Sequence, residues 1–502
     1  MKPGARLNAA VEILTEILER HRPAAEGLAE WGRTHRFAGS GDRAAIGNLV
    51  YDALRRRQSL AARMGSDSAR GMVIGAAHVA FGMTIDEIAA AADGEGHSLA
   101  PLTAEEREAL ARPVDPNLPA HIRGDFPEWL APSMARAFGD RAGIEGEALA
   151  SRAPVDLRVN ALKADREKVL KALERVGAVA TTMSPWGIRI APPHGTGRTP
   201  NVEAETGHGK GWFEIQDEGS QIAALLAHAS PRNQVLDLCA GAGGKTLALA
   251  AAMQNTGQIY AYDGNRQRLR PIFERLKRAG ARSVQVLEAG DEAALAALGS
   301  RFDLVLVDAP CSGSGVWRRR PDAKWRMRPS SFAERQSEQR AVLTLARGAV
   351  KPGGTLVYVT CSVLPEENVD TVAWLLEAAP ELEIVPYADL WRQALPGEPP
   401  TSADGRTDSL LLTPASHGTD GFFIATFSIV GWVKHLRDPA LFRHAVDCWV
   451  APGPRYARPG LTQPTYGATP IAVRRARAWD WACLVYSLRF RSNFAISSNS
   501  LR

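Results

Sequence analysis

Apolar positions along the chain fall into three successive patterns. Over residues 1–90 they recur at helical spacing: Leu7, Val11, Leu14 and Leu18 form one stripe, and Ile46, Leu49, Val50, Ala53 and Leu54 another. Arg55-Arg56-Arg57 closes the second stripe, where cations suit the carboxyl end of a helix. A solvated helix end is the favoured reading of that triplet, and phosphate contact the alternative. Residues 90–125, rich in Gly, Pro and acids, read as a linker. Between about 126 and 215 the pattern is mixed, with strands predicted at 157–160 and 186–190 around a helix at 165–176. Residues 231–427 alternate strand and helix. Strands are predicted at 234–239, 258–263, 284–288, 303–308, 354–360 and 421–427, with helices at 266–279 and 331–350. That alternation predicts a parallel sheet covered on both faces.

The ends of these predicted strands carry the chemistry. Val-Leu-Asp-Leu-Cys239 runs into the turn Ala240-Gly-Ala-Gly-Gly244-Lys245, which lets backbone approach a ligand and opens a helix. Asp263 ends the next strand, where an acid can accept hydrogen bonds from ribose hydroxyls. Asp291 follows the third and could read an adenine amino group. A phosphate loop is a poor fit, because its first glycine would fall on Cys239, and no G-x-G-x-x-G occurs here. Acids at two successive strand tips favour S-adenosylmethionine over NAD.

Two further strands each stop at a thiol, Cys311 and Cys361. A thiolate can add to C6 of a pyrimidine and make C5 nucleophilic enough to take a methyl group. Asp308 is placed to hydrogen-bond the ring at N3 and N4. The bland alternative is two buried cysteines acting as small hydrophobes. After Cys311, residues Arg318, Arg319, Arg320, Lys324 and Arg326 interleave with Trp317 and Trp325, a pattern suited to RNA phosphates and stacked bases.

Composition changes the picture in one place. The net charge of +5 is concentrated at the carboxyl end: residues 428–502 carry +8, leaving −3 for residues 1–427. Basicity of the main body is therefore local. The same end holds four of the twelve tryptophans and has no clear periodicity. It reads as a poorly ordered extension, with a basic aromatic arm for RNA as the alternative. Five cysteines show no C-x-x-C pair and no zinc spacing. No signal peptide or membrane-length apolar stretch is found, so a cytoplasmic protein without membrane contact is expected.

Asp308-Ala-Pro-Cys-Ser-Gly-Ser-Gly315, Arg319-Arg-Pro-Asp322, Thr360-Cys-Ser-Val-Leu-Pro-Glu-Glu-Asn368 and Asp420-Gly-Phe-Phe423 resemble the Nop/Sun (Fmu-type) RNA cytosine-5 methyltransferases. The resemblance spans most of residues 1–427. It implies an α/β fold: a Rossmann-like, S-adenosylmethionine-dependent domain at 216–427, a small α/β RNA-recognition region at 126–215, and an all-helical NusB-like RNA-binding domain with its linker at 1–125. It also implies that Cys361 forms the covalent bond to C6 and that Cys311 assists product release. Cofactor contacts are implied at Cys239, Ala240, Gly241, Ala242, Gly243, Gly244, Lys245, Asp263, Asp291 and Asp308. The RNA contacts expected from the basic cluster are Arg319, Arg320, Lys324 and Trp325. A monomer acting on RNA, 16S ribosomal RNA first, is expected. A tRNA or DNA cytosine-5 methyltransferase and a non-catalytic ribosome-assembly factor are the rivals. One departure stands out: the family's turn usually has proline before Gly-Gly-Lys, and here Ala242 occupies that position.

Overall fold

The computed structural model describes residues 1–113 and 115–429; the expected extension from residue 430 onward lies outside them. Both apolar stripes at the amino end form helices, Pro3–Arg20 and Ser40–Arg55. Leu7, Leu14, Ile46, Leu49, Val50, Ala53 and Leu54 are buried in one shared core, with Val11 and Leu18 packed at its edge.

The linker expected at 90–125 is largely folded. Leu99, Leu102 and Leu110 enter the same helical core. Helix Ala104–Ala111 starts with a reciprocal Thr103–Glu106 capping box. Arg70 holds Glu106 at 2.7 Å. The apolar positions here are too widely spread among Pro and acids to show a period, yet each finds a place in a core built by other helices.

After helices Ala131–Phe138 and Ala142–Leu149 comes a small antiparallel sheet. It comprises β1 (Val155–Val159), β2 (Ala178–Ala180), β3 (Gly187–Ile190) and β4 (Phe213–Ile215), in the order β2-β3-β1-β4. Val169 and Leu173 from the predicted helix region share a core with Leu157, Ile188 and Phe213 of the sheet.

The large sheet contains β5 (Gln234–Leu238), β6 (Gln258–Tyr262), β7 (Val284–Val286), β8 (Phe302–Asp308), β9 (Val350–Thr360), β10 (Leu382–Val385), β11 (Leu410–Leu412) and β12 (Phe422–Ile429). Its order is β10-β12-β9-β8-β5-β6-β7, with β11 paired to β12. Strands β5 to β9 are mutually parallel. The sheet is nevertheless mixed, not all parallel, because β12 runs antiparallel between β9 and β10. The apolar run 422–427 specifies burial but not direction. Helices cover both faces: Ile222, Leu226, Leu249 and Met253 on one, Leu343 and Ala346 on the other.

Strand order reverses between β5 and β8, and the carboxyl ends of parallel strands at such a switch point form a ligand crevice. Asp308 pairs in register with Val359, so the segments after β8 and β9 leave the sheet side by side. Among the described residues no helix is long and apolar enough to cross a membrane.

Candidate active site

The turn after β5 is built for close approach. Cys239 has φ +71°, a left-handed conformation unusual for a side chain, and Gly243 has φ +82°. A Cβ on Gly243 would meet Ile272 at 2.5 Å, so only glycine lets the turn pack on helix Ile272–Ala279. Asp263, at the tip of β6, fixes this turn: its carboxylate accepts from Gly241 N at 3.0 Å and Asn265 N at 2.8 Å. Beside the turn lies a cavity of about 410 Å³ lined by Gln216, Cys239, Gly241, Lys245, Arg268 and Asp308, among others. Lys245 Nζ reaches Asp308 at 2.7 Å, the lysine buried and the carboxylate about one third exposed. Asp291 does not line the cavity; it caps helix Glu292–Ala297 by accepting from Ala294 N at 2.9 Å.

Charges of both signs line this cavity, Asp308 together with Lys245, Arg268 and Arg275. Burial pushes the Cys239 thiol far above its ordinary range, and Asp263, Asp308 and Asp237 push it further in the same direction. The Asp308 carboxylate can face a cationic sulfonium, and the cations can meet a ligand carboxylate. The volume and the charged groups of the lining fit S-adenosylmethionine.

The two thiols sit next to this cavity's Asp308 wall. Cys311 Sγ and Cys361 Sγ are 3.3 Å apart. The Cys311 thiol is held well above its usual range, first by its hydrogen bond with Cys361, then by burial and by the charge of Glu367. Either thiol could be the donor in this contact, which brings the two sulfurs together at the ends of adjacent strands.

Beneath the thiols is a buried polar network that sequence reading did not single out. Glu367 accepts from Ser312 N at 2.7 Å, Ser312 Oγ at 2.5 Å and Gln339 Nε2 at 3.1 Å. Burial raises the Glu367 carboxyl above the usual range. Asn368 accepts from Thr360 Oγ1 and donates to Ser362 O, clamping the turn that carries Cys361. Gly315 and Gly421 hold the two loops together: Gly421 N donates to Gly315 O at 2.8 Å, and a Cβ on Gly315 would fall 2.2 Å from Gly421 O. Glu367 and Asn368 lay inside a quoted motif, but their partners are set by tertiary contact.

A second missed group supports the cofactor turn. Arg158, from β1, is buried and donates to Gln216 and to Gly244 O at 2.7 Å. Burial lowers its pKa to about 10. Arg275 donates to Ala242 O at 2.8 Å. An arginine inside a predicted strand, as in 157–160, was the available signal.

The basic cluster after Cys311 turns mostly inward, and Arg319, Lys324 and Trp325, expected as RNA contacts, have polar groups engaged within the protein. Arg318 and Arg319 clasp the buried pair Asp217 and Asp420. Lys324 is 1% exposed and donates to Arg55 O at 2.9 Å, while Trp325 Nε1 donates to Leu54 O at 2.6 Å. Together they cap the carboxyl end of helix Ser40–Arg55, and Arg55 Nε donates back to Arg318 O. Polar atoms used this way hold the helical layer against the sheet and cannot also meet phosphates. Arg320 alone of the four named residues points to solvent.

Comparison with known proteins agrees with this geometry. Residues 224–428 match the family model "16S rRNA methyltransferase RsmB/F", and residues 126–196 match a ferredoxin-like domain of RsmF/B-like methyltransferases. A probable ribosomal RNA small subunit methyltransferase B from Synechocystis is 33% identical over 60% of this chain and 66% of its own. The chain thus spans just under two thirds of that relative. The Vibrio vulnificus ribosomal RNA small subunit methyltransferase B is 28% identical over 78% of this chain and 95% of its own. The fold is shared with the crystal structure of PH0851 (TM-score 0.65, 24% identity, 85% of this chain and 99% of that one). A methyltransferase homolog from Pyrococcus horikoshii is also similar (TM-score 0.51, 27% identity, 62% of this chain and 98% of that one). The chain belongs to the Nop/Sun methyltransferase family, in the branch that the RsmB/F model describes.

Proposed function

We propose that this protein transfers a methyl group from S-adenosylmethionine to C5 of a cytidine in RNA, 16S ribosomal RNA being the substrate. The observation that carries this reading is the pair of thiols 3.3 Å apart at adjacent strand ends, beside a cavity suited to the cofactor. The target base is extruded to reach Cys361, since C6 is attacked from the face of the ring. Cys361 Sγ bonds to C6, and hydrogen bonding by Asp308 at N3 and N4 lowers the cost of the charge that builds on the ring. When bound, the cofactor supplies the electrophilic methyl group that C5 takes. C5 then loses its proton to a base, the Sγ–C6 bond breaks, and Cys311 assists that release. The Glu367–Ser312 and Asn368–Ser362 contacts keep both thiols in position. The protein works as a monomer in the cytoplasm.

The test is a denaturing gel of Cys311→Ala protein incubated with small-subunit RNA and S-adenosylmethionine. An RNase-sensitive adduct is expected, lost when Cys361→Ala is added. An adduct in Cys361→Ala alone would exchange the two roles. Absence of RNA methylation by the unmodified protein would favour an assembly factor instead.

A further inference from the structure

We propose that a cleft between the N-terminal helices and the segment after Cys311 binds an unpaired nucleobase of the RNA, outside the pocket for the reacting cytidine. The inference rests on the function proposed above. The cleft has a volume of about 350 Å³ and is lined by Arg57, Gln58, Asp67, Glu128, Trp129 and Trp325, among others. This is within the size range of small-ligand sites.

Two of its walls are indoles held in place. Trp325 is fixed along its edge by the hydrogen bond to Leu54 O, so its ring is a rigid platform rather than a swinging side chain. Trp129 packs edge-on against Phe332, with ring centres 6.0 Å apart, and stays 37% exposed. The Arg57 guanidinium lies 5.6 Å from the centre of the Trp325 ring. Among the described residues it makes no ion pair with a carboxylate. Fixed aromatic planes beside an arginine without an ion-pair partner are the chemistry of single-stranded RNA capture, by stacking and phosphate contact. Asp67 and Glu128 disfavour a phosphate within the cleft itself. Their oxygens suit the exocyclic amino and ring N–H groups of a base, leaving the phosphate to Arg57. The two uses of Trp325 are compatible: its N–H serves the joint while its ring lines the cleft.

The experiment uses the full chain with transcribed small-subunit RNA. Trp129→Ala and Arg57→Ala should each raise KM for the RNA about tenfold with kcat unchanged. Trp129→Phe should restore most of the loss, and thermal unfolding should be unaltered. Zero-length photocrosslinking of the unmodified protein should join a nucleotide to the peptide around Trp129 or Trp325. Unchanged KM in both alanine variants, or a crosslink only to protein in assembled subunits, would overturn the inference while leaving methylation of RNA intact. Failure of the unmodified protein to bind or methylate RNA would overturn both readings.

Discussion

Segment 308–326 carries two polar clusters of similar composition and opposite use. At its start, Asp308 meets Lys245 at the wall of an open cavity, and Cys311 touches Cys361. Further on, Arg318 and Arg319 meet Asp217 and Asp420, and Lys324 and Trp325 cap helix Ser40–Arg55. What separates the two is how their hydrogen-bonding capacity is spent. In the second cluster two guanidiniums face two carboxylates, and the polar atoms of Lys324 and Trp325 go to backbone carbonyls. In the first, Asp308 stays partly exposed and the lysine has one carboxylate partner. Charge matched within the protein makes a joint; charge left partly free beside a cavity makes a site.

The largest effect should come from breaking the joint. Arg318 and Asp420 are 4% and 2% exposed, so Asp420→Ala leaves two guanidiniums facing only Asp217. Removing one partner of a buried pair costs about 3–5 kcal/mol. Denaturant unfolding of Asp420→Ala should show a loss of that order. A variant as stable as the parent would mean that the quartet is not a joint.

A smaller effect, with a defined pH dependence, is expected beneath the cavity. Asp237 is fully buried in β5, and burial pushes its carboxyl up to about 7 against the opposing hydrogen bond from Thr246. Asp308 and Asp263 raise it and Lys245 lowers it, and one of its oxygens has no hydrogen-bond partner. The folded chain therefore keeps a proton that the unfolded chain releases near 3.8. The contribution of Asp237 to stability is greatest below that pH, declines as pH rises toward 7, and is level above it. Asp237→Asn should remove this slope, seen as a difference from the parent in unfolding midpoints measured from pH 4 to 8. Identical slopes would place the proton elsewhere.

The strands bearing the site were legible because buried parallel strands read as unbroken apolar runs, and each ended in turn residues or a thiol. The direction of β12 was not, since Phe422 to Phe427 would be buried in either orientation. Strands β10 and β11 are too short to show a period of their own. Composition placed Lys324 and Trp325 beside arginines and suggested RNA. Their actual acceptors, Arg55 O and Leu54 O, lie about 270 positions away in the chain and leave no local trace. Glu367 was hidden in the same way, its role depending on Ser312, 55 positions earlier.

The smallest effect sharpens the comparison from the cavity side. Among the described residues the Ala242 N–H donates to no acceptor, and its carbonyl takes the bond from Arg275. Ala242→Pro, which restores the residue usual at this point in the family, therefore removes no donor that the fold uses. Its main action is on the unfolded chain, whose freedom it reduces, for a gain of about 0.4–1 kcal/mol where the backbone already suits proline. Calorimetric binding of S-adenosylhomocysteine should be unchanged, because Gly241, Gly244 and Lys245 keep their places around the cavity. A loss of stability would show that the turn after Cys239 has settled into a backbone shape that proline cannot adopt, with Arg275 and Asp263 supplying the rigidity that the ring would otherwise provide.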